Sequence, residues 1–118
     1  MKYQESQEMY LETILTLKNK ISHVRSIDVA NELNFSRPSV SRAIKLLQQS
    51  GYILVDSDGG ILFTEIGEKK AKEIFERHLV ITKLLMSLGA SETVAEDNAC
   101  RIEHVITDEL MDILKKQI

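Results

Sequence analysis

Cys100, Glu103 and His104 fall within the short segment Cys100-Arg101-Ile102-Glu103-His104. On a helix the spacings i, i+3 and i+4 put a thiol, a carboxylate and an imidazole on one face. Near the N-terminus Met9 and Glu12 share a helix face in the same way, and His78 stands mid-chain. Thioether, thiolate, imidazole and carboxylate together suit a borderline divalent transition metal. Fe(II), Co(II), Ni(II) and Zn(II) fit such a set, whereas Ca(II) and Mg(II) do not, and the sulfur pair pulls away from Mn(II). Each residue alone has a plainer reading. A lone Cys or Met is usually a buried hydrophobe, His78 a satisfied imidazole, and Glu103 with His104 a surface pair. Cys100 and His104 also have the spacing of a nucleophile and its base. No glycine-rich or oxyanion-forming segment accompanies them, so an enzyme with a small-molecule substrate is not expected.

A second group of residues has the chemistry to grip nucleic acid. Ser36, Arg37, Pro38, Ser39, Ser41, Arg42 and Lys45 crowd the start of one predicted helix. Ser and Arg side chains bond phosphates and base edges, and Arg42 is suited to a bidentate pair with guanine. Double-stranded operator DNA is the expected partner. The same helical pair could serve a protein–protein module, but a polar, Ser/Arg-rich face directly after a turn favours DNA.

These residues need elements to carry them. Met9, Tyr10, Ile14 and Leu17 repeat at helical spacing, which predicts a first helix from about Glu5 to Lys20. Ser26 opens a short helix ending at Leu33, and Asn34-Phe35 breaks it. Ser36 caps the next helix, with Pro38 in its first turn and Gly51 as its stop. Two β-favouring runs, Tyr52–Val55 and Ile61–Phe63, flank the turn signal Asp58-Gly59-Gly60. The acidic tip Asp56-Ser57-Asp58 promises little phosphate binding. Thr64 caps a long helix to about Leu88, with Ile74, Phe75, Leu79, Thr82, Leu85 and Met86 as its packed stripe. Ser91 caps a short helix, and a last helix runs from about Asp97 or Asn98 to Lys116, carrying all of Cys100, Glu103 and His104. The order is that of a mainly α protein: a winged helix-turn-helix DNA-binding domain over residues 1–70, then a helical metal-binding and dimerisation domain over 71–118.

Bulk properties agree. The chain has 118 residues, 43% hydrophobic and 28% charged, with one Pro and five Gly, which is globular and helix-rich. No apolar run is long enough to span a bilayer, and the N-terminus lacks a secretory pattern. A single cysteine makes no internal disulfide, so a cytoplasmic protein without a membrane partner is expected. Residues 1–50 hold seven basic and five acidic side chains, a local +2; residues 51–118 hold eight and thirteen, a local −5. The basic half suits phosphates. The helix-rich, apolar C-terminal stretch is too small to bury its own faces, which favours a homodimer.

The segments Glu8–Ile14, Val29–Leu33, Ser36–Ser41, Leu62–Gly67, Arg77-His78 and Ala99–Val105, in that order, resemble the iron- and manganese-dependent repressors. That family includes the diphtheria toxin repressor and the manganese transport regulators. The resemblance implies a metal-dependent repressor of metal-uptake genes. It assigns Met9, Cys100, Glu103 and His104 to an activating site of the iron type and His78 to an ancillary one. Manganese-type members carry Asp and Glu where this chain has Met9 and Cys100, yet share the carboxylate at Glu12. Fe(II) is therefore the expected ion, with Mn(II), Co(II), Ni(II) or Zn(II) as alternatives. Thr82 and Glu96 stand where iron-type ancillary ligands are Glu and His, Leu79 replaces an anion-binding Arg, and Arg42 replaces a DNA-facing Gln. The alternative is a metal-independent or thiol-redox-sensing winged-helix regulator.

Overall fold

The computed structural model describes residues 6–117. The chain divides into two compact units, one ending at Lys72 and the other beginning at Glu73.

In the first unit α1 runs Gln7–Lys18, α2 Ser26–Leu33 and α3 Arg37–Gln49. Ser6 caps α1 by accepting from the Met9 amide at 3.1 Å. The expected start at Glu5 lies outside the described residues. Ser26 begins α2 but does not cap it. The cap position is Arg25, whose amide donates to the Asp28 carboxylate at 2.8 Å, so the orphan N–H is satisfied from within the helix. Asn34 then takes the left-handed conformation, with φ 58°, and turns the chain toward α3. Ser36 caps α3 through the Ser39 amide, with Pro38 in the first turn. The three helices all touch one another. Leu11, Ile14, Val29, Val40 and Leu47 are among the side chains buried there.

Two short antiparallel strands follow, β1 at Ile53–Val55 and β2 at Ile61–Phe63, with Leu54 opposite Leu62. Ile53 and Ile61 point inward while Leu54 and Leu62 face out, the period-2 alternation of a half-buried hairpin. The Ile61 amide also donates to the Val24 carbonyl at 2.7 Å, so the loop before α2 shields the hairpin's edge. At the tip the Asp56 carboxylate accepts from the amides of Asp58 and Gly60 at 2.9 and 2.7 Å. That inward bonding, led by Gly60, holds the Asp56 carboxyl below its ordinary range.

The long helix α4 runs Glu65–Ser87, its first turns belonging to the first unit. Thr64 caps it by accepting from the Gly67 amide at 3.1 Å. Gly67 is there for space: a Cβ at this position would collide with the Tyr52 carbonyl oxygen. The remaining helices are α5 at Glu92–Ile102 and α6 at Asp108–Lys115. In the second unit Ile81, Ala99 and Met111 bring α4, α5 and α6 together, flanked by Val80, Leu85, Ile102, Ile106 and Leu114. Leu79 and Met86, expected in the packed stripe, are 52% and 43% exposed. They line a groove with Val80, Thr82, Lys83 and Lys115 instead.

The last two helices also depart from expectation. No helix runs from Asp97 to Lys116. One helix ends at Ile102, and a turn over residues 103–105 leads to α6. Glu103 keeps helical dihedrals, φ −58° and ψ −24°, and its amide still donates to the Ala99 carbonyl. Beyond it the Val105 and Ile106 amides both return to Ile102, and Thr107 caps α6 through the Leu110 amide at 3.2 Å. The β-branched run Val105-Ile106-Thr107, followed by two acidic residues, disfavours helix continuation and favours a new N-terminus. No helix among the described residues is long and apolar enough to cross a membrane.

Candidate metal centre and nucleic-acid interface

The recognition face stands on α3. Ser36, Arg37, Pro38, Ser41, Arg42 and Lys45 are exposed and Ser39 is partly so. On the opposite side of the helix Val40, Ile44 and Leu47 are buried, which orients the polar face outward. The Ser36 and Ser39 hydroxyls are 2.9 Å apart, and the Arg42 guanidinium lies 3.4 Å from the Ser39 hydroxyl. Arg42 thus leans back along its own helix, next to a groove formed with Gln7, Tyr10 and Leu46.

Met9 and Glu12 lie on α1 of the first unit, Met9 buried at 5% exposure and Glu12 half-buried. The hydroxyls of Thr13 and Thr16 donate to the carbonyls of Met9 and Glu12 at 2.9 and 3.0 Å. These bonds stay within the helix and fix the local geometry from which both side chains project.

In the second unit Glu103 is fully buried, the lone charged side chain among the described residues of that class. Its two oxygens face different imidazoles. The His78 Nδ1 lies 3.0 Å from Oε2, and the His104 Nε2 lies 3.3 Å from Oε1. Burying a carboxylate costs several kcal/mol unless it is paired, so two imidazoles beside it supply a physical reason for its survival there. Glu103 in turn raises the proton affinity of His78, chiefly by accepting its hydrogen bond, against an opposing effect of burial. Cys100 precedes Glu103 by one turn of α5, is half-buried and forms no disulfide. A buried carboxylate between two imidazoles offers oxygen and nitrogen donors suited to a divalent transition metal.

His78, which the family resemblance assigns to an ancillary site, lies against the Glu103 carboxylate. Nothing in the linear motif reveals this, because the two residues lie on different helices. Glu96 is exposed on α5 and adds to the negative field that favours a protonated His78. Thr82 buries its hydroxyl with no hydrogen-bond partner among the described residues. Arg77 reaches the same turn. Its guanidinium donates to the Glu103 carbonyl at 3.2 Å and to the Asp108 carboxylate at 3.0 Å. Its only signal in the sequence is its place beside His78.

Comparison with known proteins agrees with this division of labour. A model of the N-terminal DNA-binding domain of iron-dependent repressors matches residues 2–61, and a model of their metal-binding and dimerisation domain matches residues 64–118. The transcriptional regulator MntR of Escherichia coli is 33% identical over 106 residues, spanning 90% of this chain and 68% of that protein. An HTH-type transcriptional regulator of Methanocaldococcus jannaschii is 34% identical over 113 residues, spanning 94% of this chain and 90% of its own length. The solved structure of the manganese regulator SloR superposes with a TM-score of 0.84 at 26% identity, over 96% of this chain and 53% of that one. The chain thus spans about half the length of SloR. Two family models that together account for nearly every residue leave one assignment: this chain belongs to the iron-dependent repressor family, the metal-dependent transcriptional repressors.

Proposed function

We propose that the chain represses metal-uptake genes in the cytoplasm, as a homodimer on double-stranded operator DNA, when a divalent transition metal is plentiful. Met9, Glu12, Cys100, Glu103 and His104 are the proposed ligands, with His78 sharing Glu103. The observation that carries this reading is the fully buried Glu103 carboxylate flanked by two imidazoles. The imidazoles make the burial tolerable, and a cation seated among these groups would compensate the carboxylate's charge more fully.

Fe(II) is the proposed activator, with Mn(II), Co(II), Ni(II) or Zn(II) as alternatives. Two sulfur donors, Met9 and Cys100, support a borderline ion; Glu12 and Glu103 supply hard oxygens that a manganese-type ion would also accept. When bound, the ion supplies a cross-link between side chains of different helices. Met9 and Glu12 would thereby tie α1 to the turn that follows α5. Because α1 packs on α2 and α3, restraining α1 restrains the recognition helix. In a dimer, two such helices must match successive major grooves, and a restrained pair loses less entropy on doing so. Metal strengthens DNA binding only if it prefers this DNA-competent state.

On the DNA side, Ser36, Ser39 and the amide end of α3 suit phosphates. Arg37, Ser41, Arg42 and Lys45 have the reach for base edges or the backbone, and Pro38 shapes the helix start without needing a donor. The deciding experiment measures binding to DNA from the chain's own upstream region by fluorescence anisotropy, with Fe(II), Mn(II), Zn(II) or chelator. Metal should tighten binding in the wild type, and Cys100→Ala and Glu12→Ala should blunt the response. Equal binding after exhaustive chelation would overturn the reading.

A further inference from the structure

Arg77 and His78 are adjacent on α4 and both reach Glu103, from opposite ends of that residue. His78 meets its carboxylate; Arg77 donates to its main-chain carbonyl at 3.2 Å and to Asp108 at 3.0 Å. The Glu103 carbonyl belongs to the last turn of α5, where carbonyls lack helical partners and carry the negative end of the helix dipole. A planar guanidinium can satisfy that carbonyl and a carboxylate at once, in a fixed fork that an ammonium does not reproduce. Arg77 is only 15% exposed as a side chain, so its contact with the carbonyl is largely shielded from water. Asp108 is the first residue of α6. The fork therefore staples the turn between α5 and α6 to α4 at its two ends, Glu103 and Asp108.

We infer that Arg77 is a positioning residue for metal binding: by holding the backbone of the turn at residues 103–108 it aims the Glu103 carboxylate and the His104 imidazole. The inference rests on the metal reading given above. Arg77 meets Glu103 at its main-chain carbonyl. It acts through Glu103, in the way outer partners of metal ligands orient them and typically contribute about 10- to 100-fold in affinity.

The test is titration of the full chain with Co(II), following its visible ligand-field absorption, for wild type, Arg77→Gln, Arg77→Lys and Glu76→Gln. Glu76→Gln is the matched control, since Glu76 precedes Arg77 on α4 and pairs with Lys115 of α6 at 3.1 Å without engaging Glu103. Circular dichroism of the metal-free proteins checks that each is folded. Arg77→Gln should weaken Co(II) binding by about 10- to 100-fold and change the band shape. Arg77→Lys should lose several-fold, because lysine serves one partner and not both, and Glu76→Gln should match wild type. A merely structural Arg77 would lower the melting temperature and leave the affinity and spectrum of the folded protein unchanged; that result overturns the inference. If Arg77→Gln does not fold, Arg77→Lys decides, and a wild-type affinity and spectrum in it overturns the inference. Failure of the wild type to bind Co(II) would instead strike the metal reading itself.

Discussion

His78 Nδ1 and Glu103 Oε2 meet at 3.0 Å, although the two residues are 25 positions apart and lie on different helices. The contact joins α4 to the end of α5 through a carboxylate with no exposed surface. A hydrogen-bonded imidazole makes that burial tolerable without metal, and the same pair offers a cation both nitrogen and oxygen. A proton and the proposed metal would thus contend for one set of atoms.

That competition has a signed consequence for pH. Glu103 raises the folded-state pKa of His78 above its ordinary value of 6.5. A His with a raised folded pKa stabilises the fold fully below its unfolded pKa, and the contribution is lost as pH rises through the folded one. Metal-free protein should therefore lose stability from the ordinary histidine range upward. Metal affinity should rise over the same window, as binding displaces the proton. Thermal melts and Co(II) titrations at about pH 6 and about pH 8 check both directions, and His78→Gln should flatten both slopes. Metal affinity that falls with rising pH would contradict this account.

Glu103→Gln preserves shape and removes the charge between the imidazoles. Metal affinity should fall by more than about 100-fold, beyond the loss expected for an outer partner. The rise in melting temperature that metal confers on the wild type should vanish with it. Calorimetric titration and paired melts with and without Co(II) measure the two effects. A Glu103→Gln protein still stabilised by metal would place the site elsewhere.

On the recognition helix, Arg42 and Lys45 should behave differently. Arg42→Ala should cost about 1–3 kcal/mol of discrimination at one base position if its guanidinium reads a guanine edge. Lys45→Ala should weaken binding to all sequences alike and lower the slope of log affinity against log salt by about 1. Binding measured against a set of single-base operator variants, at several salt concentrations, separates the two roles. An Arg42→Ala protein with an unchanged preference would remove Arg42 from base recognition.

Gly67→Ala tests the packing of the first turn of α4 against the chain leading into β1. The added Cβ would run into the Tyr52 carbonyl. That carbonyl also accepts from the Thr64 amide and hydroxyl at 3.0 Å each, so it is not free to retreat. The substitution should cost about 3 kcal/mol, read as a lower midpoint in urea unfolding with an unchanged slope. A midpoint within error of wild type would show that the turn can shift.

Features that depend on neighbours along the chain can be read from the residues alone. The order of helices and hairpin, the caps at Ser36, Thr64 and Ser91, the left-handed stops at Asn34 and Gly51, and the outward polar face of α3 all follow from local sterics and periodicity. So does the placing of Glu103 one helical turn after Cys100, because Glu103 retains helical dihedrals after α5 has ended. Packing between helices sets the rest: His78 meets Glu103, Arg77 grips the same residue by its carbonyl, and Leu79 and Met86 stay exposed. Each of those depends on which faces of α4 its neighbours cover, and an apolar stripe at helical spacing does not specify its own partner. The break between α5 and α6 belongs to the same class: β-branched residues weaken the helix locally, but the contacts of Arg77 on both sides of the turn hold it in place.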